Sequence, residues 1–247
     1  MKPQLHFFPS LDSTNDHLKD LIRQEKAQLW DIVWADYQSA GKGQRGNKWD
    51  SEDGENLLFS TWFKPHVLPV SQVFELNKRV SLAVRSVLVD RGVEGVSVKW
   101  PNDILVNGRK IAGVLIENNL DGDRVEHVVI GIGLNVNQVG LKDRLPNAIS
   151  LREISGQKAD RMELLNQLHQ ALQAHIHSSF WPTARIDATY LKYLYGFRQW
   201  RTYLHQDKEL FGRITGISSQ GLLQMNTDKG SMEFDLREIR FLPDQEN

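Results

Sequence analysis

Between Val96 and Leu134 the chain is β-patterned almost throughout, and two reversals cut the run at fixed places. Asn107-Gly108 is a two-residue hairpin signal, because both central residues of such a turn need positive φ. Asp121-Gly122 is a second reversal. Strands are therefore expected over Ser97–Trp100, Ile104–Val106, Lys110–Glu117 and Arg124–Leu134. Tight reversals join antiparallel neighbours, so the middle of the chain is committed to a sheet.

The flanks fix what surrounds that sheet. Ser13-Thr14-Asn15-Asp16 opens an amphipathic helix to about Arg23, with Leu18, Leu21 and Ile22 on one face. Trp30–Tyr37 and Leu57–Phe63 read as strands. Ser71–Arg91 reads as a long helix, with Val73, Leu76, Val80, Val84, Val87 and Leu88 at helical spacing. Arg161–Ser179 and Thr183–Tyr195 are expected as helices, the first carrying Met162, Leu165, Leu168, Leu172 and Ile176 on one side. The remainder is β again, broken near Gln206-Asp207, Gln220-Gly221 and Asp228-Lys229-Gly230. The order predicts an α+β fold: a mixed sheet flanked by helices over residues 1–198, then a small all-β module over 199–247.

Composition narrows the chemistry. A 40% hydrophobic, 25% charged chain of 247 residues is an ordinary globular protein. Its formal net charge of −1 provides no global attraction for nucleic acid or acidic membranes. The absence of cysteine excludes a disulfide framework, a thiolate metal site, an iron–sulfur cluster and a cysteine nucleophile. Val128–Val136, interrupted by glycines and Asn135, is too short to span a bilayer, and Met1–His6 lacks the apolar core of a signal peptide. A cytoplasmic protein without membrane partners is expected.

Three segments carry candidate chemistry. Ala40–Trp49 holds Gly41, Gly43 and Gly46 together with Lys42, Arg45 and Lys48, and no acidic residue. Glycines let backbone N–H groups approach an anion, and the cations compensate its charge; a solvated surface loop fits the same pattern equally well. The spacing is neither a Walker loop nor a dinucleotide fingerprint. Lys99-Trp100-Pro101-Asn102-Asp103 ends a strand in a lysine before a proline-stiffened turn. If Lys99 faces inward it needs an anion; taken alone it is more often a surface lysine. Gly113, Gly131 and Gly133 sit inside neighbouring strands, where they clear room for a flat ligand or mark bulges and tight packing. Ser13 and Thr14 also read simply as helix caps, with Asp16 completing the pattern.

In this order the segments resemble the biotin protein ligase family. The resemblance rests on Ser13-Thr14-Asn15, Tyr37-Gln38, Gly41–Gly46 with Trp49, Lys99–Asp103, Lys110–Gly113 and Gly131–Asn135, and covers about Ser10 to Asn137. It implies a class II synthetase-like ligase domain with a C-terminal SH3-like β-barrel. It also implies an enzyme that condenses biotin with ATP, accompanied by Mg²⁺, to biotinyl-5′-AMP, and then acylates a lysine on a carboxylase's biotin carrier domain. By that resemblance Ser13, Thr14, Asn15, Gln38, Gly41, Lys42, Gly43, Gln44, Lys99 and Gly113 would contact biotin. Arg45, Trp49, Asn102, Lys110, Gly133 and Asn135 would line the nucleotide side. Lys99, Lys42 and Arg45 would carry the catalytic charge, and no metal ligand is identified. Homodimers occur in the family.

Two departures stand out. The family's loop often reads G-R-G-R-x-G-R, whereas here Lys42 lacks arginine's bidentate fork and Gln44 lacks charge. Retention of the adenylate is therefore expected to lean on Arg45. Some relatives place a helix-turn-helix ahead of the ligase, but only 12 residues precede Ser13, so repression of transcription and nucleic-acid binding are not expected. Lipoate ligase, the nearest rival, typically shows an R-R-x-S-G-G-G run that is absent here. Intact Lys99 argues against a sensing module without chemistry. The basic residues of the tail, among them Arg201, Lys208, Arg213, Lys229, Arg237 and Arg240, are interspersed with acids, which argues against RNA binding. His169, His175 and His177 are expected to face solvent.

Overall fold

The computed structural model describes residues 3–177 and 183–242, except for the side chain of Arg45. In chain order the elements are β1 (Leu5–Leu11), α1 (Thr14–Arg23), β2 (Ile32–Gln38), β3 (Leu57–Phe63), α2 (Val73–Asp90), β4 (Val96–Lys99), β5 (Asp103–Val106), β6 (Arg109–Asp121), β7 (Arg124–Leu134), α3 (Leu141–Arg144), α4 (Leu151–Ser155), α5 (Arg161–His177), α6 (Thr183–Lys192), β8 (Trp200–His205), β9 (Lys208–Ile217), β10 (Leu223–Thr227), β11 (Gly230–Phe234) and β12 (Ile239–Phe241). The chain divides into two compact units, Met1–Val70 with Arg109–Gln170, and Ser71–Gly108 with Ala171–Asn247. The expected mixed sheet with flanking helices is present, and so is a second, wholly antiparallel sheet.

In the first unit the strands run β1-β2-β3-β7-β6, with β1 parallel to β2 and the remaining pairs antiparallel. All seven residues of β3 are buried, as a strand covered on both faces requires. α1 packs through Leu18 on Val33, Trp62 and Val129, with Leu21 and Ile22 at the margin. A strand thus precedes α1, where the sequence pattern predicts none. Pro9 interrupts Leu5–Leu11 and its apolar residues stay partly exposed, so neither alternation nor burial announces β1. Proline is tolerated because β1 lies at the end of the sheet, where a missing N–H is harmless.

In the second unit β4 and β5 pair antiparallel about the 100–102 turn, and Asn107 and Gly108, which follow β5, have the positive φ that their turn signal requires. The five-stranded sheet runs β11-β10-β9-β8-β12. Its first reversal places Gln206 and Asp207 at φ of 51° and 57°. α2 and α6 meet through Phe74 and Tyr190, edge to face at 6.1 Å, and through the Lys78–Asp187 ion pair. α6 stops at Lys192 rather than Tyr195. Tyr193 and Tyr195 leave the helix to bond β4: Val98 N–H donates to the Tyr193 carbonyl and Tyr195 N–H to that of Val98, each at 2.8 Å.

α5 ends at His177, and the last two residues of the expected helix lie outside the described residues. Leu164, Leu165, Leu168 and Leu172 are buried, whereas Met162 is exposed. His169 does not face solvent. It is 8% exposed, and its Nε2 lies 3.0 Å from the Trp30 carbonyl. His175 is half-buried with Nδ1 2.9 Å from the Ala171 carbonyl, and His177 is exposed as expected. Among the described residues no helix is long and apolar enough to cross a membrane.

Candidate functional site

The N-terminal turn of α1 is polar and buried. Ser13, Thr14 and Asn15 are 3%, 4% and 3% exposed, so each needs partners. Ser13 caps the helix, accepting from Asp16 N–H at 3.5 Å. Thr14 donates its N–H and hydroxyl to Gln38 Oε1, at 2.7 and 3.0 Å. The Ser60 hydroxyl lies 2.8 Å from Thr14 Oγ1 and 2.5 Å from Asn15 Oδ1. Asn15 Nδ2 donates to Glu117 Oε2 at 2.7 Å, and the Lys19 ammonium takes the other carboxylate oxygen at 2.9 Å. A Cβ on Gly131 would come within 2.3 Å of Asn15 Oδ1, so that glycine makes room for this asparagine. The result is a fixed array of alternating donors and acceptors beside a helix N-terminus, suited to a small polar head group.

The glycine-rich segment returns on itself next to this array. Trp49 N–H bonds the Gly41 carbonyl at 3.0 Å, Gly43 N–H bonds that of Asn47 at 2.7 Å, and Gln44–Gly46 makes a 3₁₀ turn closed at Gly46 (φ 86°). Gly41 forms the neck, since a Cβ there would sit 2.5 Å from the Trp49 carbonyl oxygen. Lys42 Nζ reaches Asp16 Oδ2 at 2.5 Å, and Lys19 holds Oδ1 at 2.8 Å. Burial alone would raise the Asp16 pKa; the two ammoniums outweigh it and hold the carboxyl below its ordinary value. Gln44 Oε1 is buried without a hydrogen-bond partner among the described residues. The Arg45 side chain lies outside them.

Gly113 and Gly133 are directly opposed across β6 and β7. The ring lying on them is the chain's own: a Cβ on Gly133 would be 2.4 Å, and one on Gly113 2.9 Å, from the Trp49 indole. These two glycines therefore clear the sheet for Trp49, where a flat ligand was considered from sequence. Lys110 Nζ lies 5.4 Å from the Trp49 ring centroid, and the buried indole N–H has no partner among the described residues. Asn135 Nδ2 bonds the Ile149 carbonyl at 3.2 Å and that of Lys110 at 3.4 Å, which ties the end of β7 to its neighbours.

Lys99 and Asn102 belong to the second unit. Ser97 and Lys99 share the half-buried face of β4, while Val96 and Val98 are buried. The turn after Lys99 is held tightly. Trp100, 3% exposed, donates its indole N–H to the Gly221 carbonyl at 2.9 Å, and the buried Tyr190 hydroxyl bonds the Pro101 carbonyl at 3.2 Å. Lys99 Nζ lies 5.2 Å from the Phe241 ring centroid. Asn102 is 6% exposed.

Ser60, Glu117 and Lys19 join the array without having been singled out from sequence, and Asp16, read there as part of a helix cap, joins it as well. Ser60 carried a signal, as a polar residue in the middle of the apolar run Leu57–Phe63. Glu117 and Lys19 carried none, since charges at a strand end and on a helix are ordinary. Among the described residues no group of three or more His, Cys, Asp and Glu is placed to hold a metal ion.

Residues 7–135 match the biotin/lipoate A/B protein ligase family. The bifunctional ligase/repressor BirA of Escherichia coli is 32% identical over 234 residues, covering 89% of this chain and 68% of that protein. The BirA of Bacillus spizizenii is 31% identical over 207 residues, covering 81% of this chain and 62% of its own length. Among solved structures, the biotin protein ligase of Aquifex aeolicus in complex with biotin and ATP superposes with a TM-score of 0.78 at 25% identity, covering 97% of this chain and 99% of that one.

Proposed function

Because the chain belongs to the biotin/lipoate A/B protein ligase family, we propose that it is a biotin–protein ligase, which joins biotin to one lysine of the carrier domain of a biotin-dependent carboxylase. The observation that carries this reading is the buried array of Thr14, Asn15, Gln38 and Ser60 beside the Lys42 loop, a set of donors and acceptors matched to a ureido ring with a cation close by.

The reaction has two balanced steps. A carboxylate oxygen of biotin attacks the α-phosphorus of ATP, and pyrophosphate leaves. The neutral amine of the carrier lysine then attacks the acyl carbon, AMP leaves, and the amine proton passes to solvent. A free carboxylate resists attack by amines, whereas AMP is a good leaving group, so the first step creates the reactivity that the second uses. Both steps ask chiefly for positioning and for charge to be neutralised around the phosphate.

In this reading Ser13, Thr14, Asn15 and Gln38 hold the head group, while Lys42 and the amides of Gly41–Gln44 take the carboxylate and then the adenylate. Arg45 assists at the phosphates, and Lys99 neutralises the reacting carboxylate and α-phosphate. Trp49, Asn102, Lys110, Gly133 and Asn135 frame the nucleotide, and Gly113 lies on the biotin side. Mg²⁺ would accompany ATP and would be held largely by its phosphates and water, as is usual for this ion. The division at residue 198/199 into a catalytic part and a small β part, a cytoplasmic location and a homodimer belong to the same proposal. So does the absence of repressor activity, for which the net charge of −1 speaks.

Incubation with a recombinant biotin carboxyl carrier domain tests the whole reaction. The expected result is an ATP-dependent mass gain of one biotinyl group on a single lysine. A carrier that stays unmodified with biotin but gains lipoyl or octanoyl groups would overturn the assignment of substrate.

A further inference from the structure

We propose that Glu117 is a positioning residue that sets the ligand preference of the buried array: by accepting from Asn15 it leaves the array one proton short, and so selective for a head group that brings an N–H donor. This deepens the biotin reading above and rests on it. Glu117 lies on β6, four residues from Gly113 and therefore on the same face of the sheet. Its Oε2 accepts from Asn15 Nδ2 at 2.7 Å, and Lys19 holds Oε1 at 2.9 Å. Asp16 holds Lys19 in turn at 2.8 Å.

A carboxylate only accepts, whereas a carboxamide can be turned either way. Glu117 therefore decides how Asn15 lies, with its amide NH₂ toward the carboxylate and its Oδ1 toward the Ser60 hydroxyl. At the other end Thr14 N–H decides Gln38, whose Oε1 must face it at 2.7 Å. Between these two carbonyl oxygens stand two hydroxyls. Three contacts link them in a row: Gln38 Oε1 to Thr14 Oγ1 at 3.0 Å, Thr14 Oγ1 to Ser60 Oγ at 2.8 Å, and Ser60 Oγ to Asn15 Oδ1 at 2.5 Å. Each oxygen has its neighbour, but two hydroxyl protons cannot fill three contacts. With Asn15 turned over, its Nδ2 would supply the third proton and the row would close on itself. The orientation that Glu117 imposes leaves an oxygen in want of a donor, and a buried polar group short of a partner is costly. A ureido ring brings N–H groups, whereas a dithiolane ring brings none.

Titration calorimetry with biotin and with its two cyclic carbamates, in each of which one ureido N–H is replaced by oxygen, is the test. In the unmodified protein at least one carbamate should bind roughly thirtyfold more weakly than biotin, the scale of a buried group left short of a partner. Glu117→Met keeps the side-chain length and removes the acceptor, which frees Asn15 to turn over. That penalty should then shrink to about threefold or less, because the row supplies its own third proton. Glu117→Gln can still offer Asn15 an oxygen and should keep the penalty. A role in folding alone would weaken all three ligands alike and leave the penalty undiminished in Glu117→Met, which would overturn the inference. Carbamates that bind the unmodified protein as tightly as biotin would overturn it too. The functional reading fails differently, through an unmodified protein that does not bind biotin at all.

Discussion

At the residue scale, the binding array is built from groups that satisfy one another before any ligand arrives. Ser60 is its hub, because one hydroxyl serves both Thr14 and Asn15. Ser60→Ala should weaken biotin about tenfold in titration calorimetry and also lower the unfolding free energy by about 1 kcal/mol, because it strands the buried Asn15 Oδ1. Unchanged affinity would mean that the hydroxyl serves only the fold. Ser13, Thr14 and Asn15 were legible as a caps-or-contacts ambiguity, and both readings hold: Ser13 caps α1, while Thr14 and Asn15 face the array. Gly113 and Gly133 were legible as a cleared patch but not as to what fills it. Strand glycines announce a close approach, and nothing local says that the approaching group is Trp49, over sixty residues away in the chain.

At the element scale, the long periodic pieces were readable and the short ones were not. β3 and β7 have the bounds their patterns gave, and the glycine loop stands between β2 and β3 as its composition implied. α3 and α4 are too short for periodicity to detect, yet α4 had a readable start. Ser150 and Glu153 form a full capping box, and Gly156 ends the helix at φ 75°. Ser150→Ala should lower the unfolding free energy by about 1 kcal/mol in urea titration; no change would show that the box is redundant there. α5 carries a pH dependence. Burial pushes His169 below the ordinary imidazole value of 6.5, with the Trp30 carbonyl opposing, and burial likewise lowers His175, with the Ala171 carbonyl opposing and Arg79 assisting. Both take up protons less readily in the folded chain than in the unfolded one, which begins to do so as pH falls through 6.5. Stability should therefore be complete above that pH and decline beneath it. His169→Leu should flatten the decline between pH 6.5 and 5 in denaturant titrations, and an undiminished slope would assign the effect elsewhere.

At the scale of the whole molecule, fold and family were legible because ordered segments spread over 130 or so residues constrain each other, although no single one is specific. Buried side-chain partners were not legible, since Glu117 meets Asn15 across 102 positions and Trp100 meets Gly221 across 121. The proposed function stands or falls on whether this array and its cations activate biotin as an adenylate. Exchange of labelled pyrophosphate into ATP measures that step alone, with lipoate and octanoate run in parallel and Lys99→Ala as the control. The expected result is exchange with biotin only, falling by two orders of magnitude or more, about 3 kcal/mol of transition-state stabilisation, in the variant. Tight biotin binding with no exchange would contradict it.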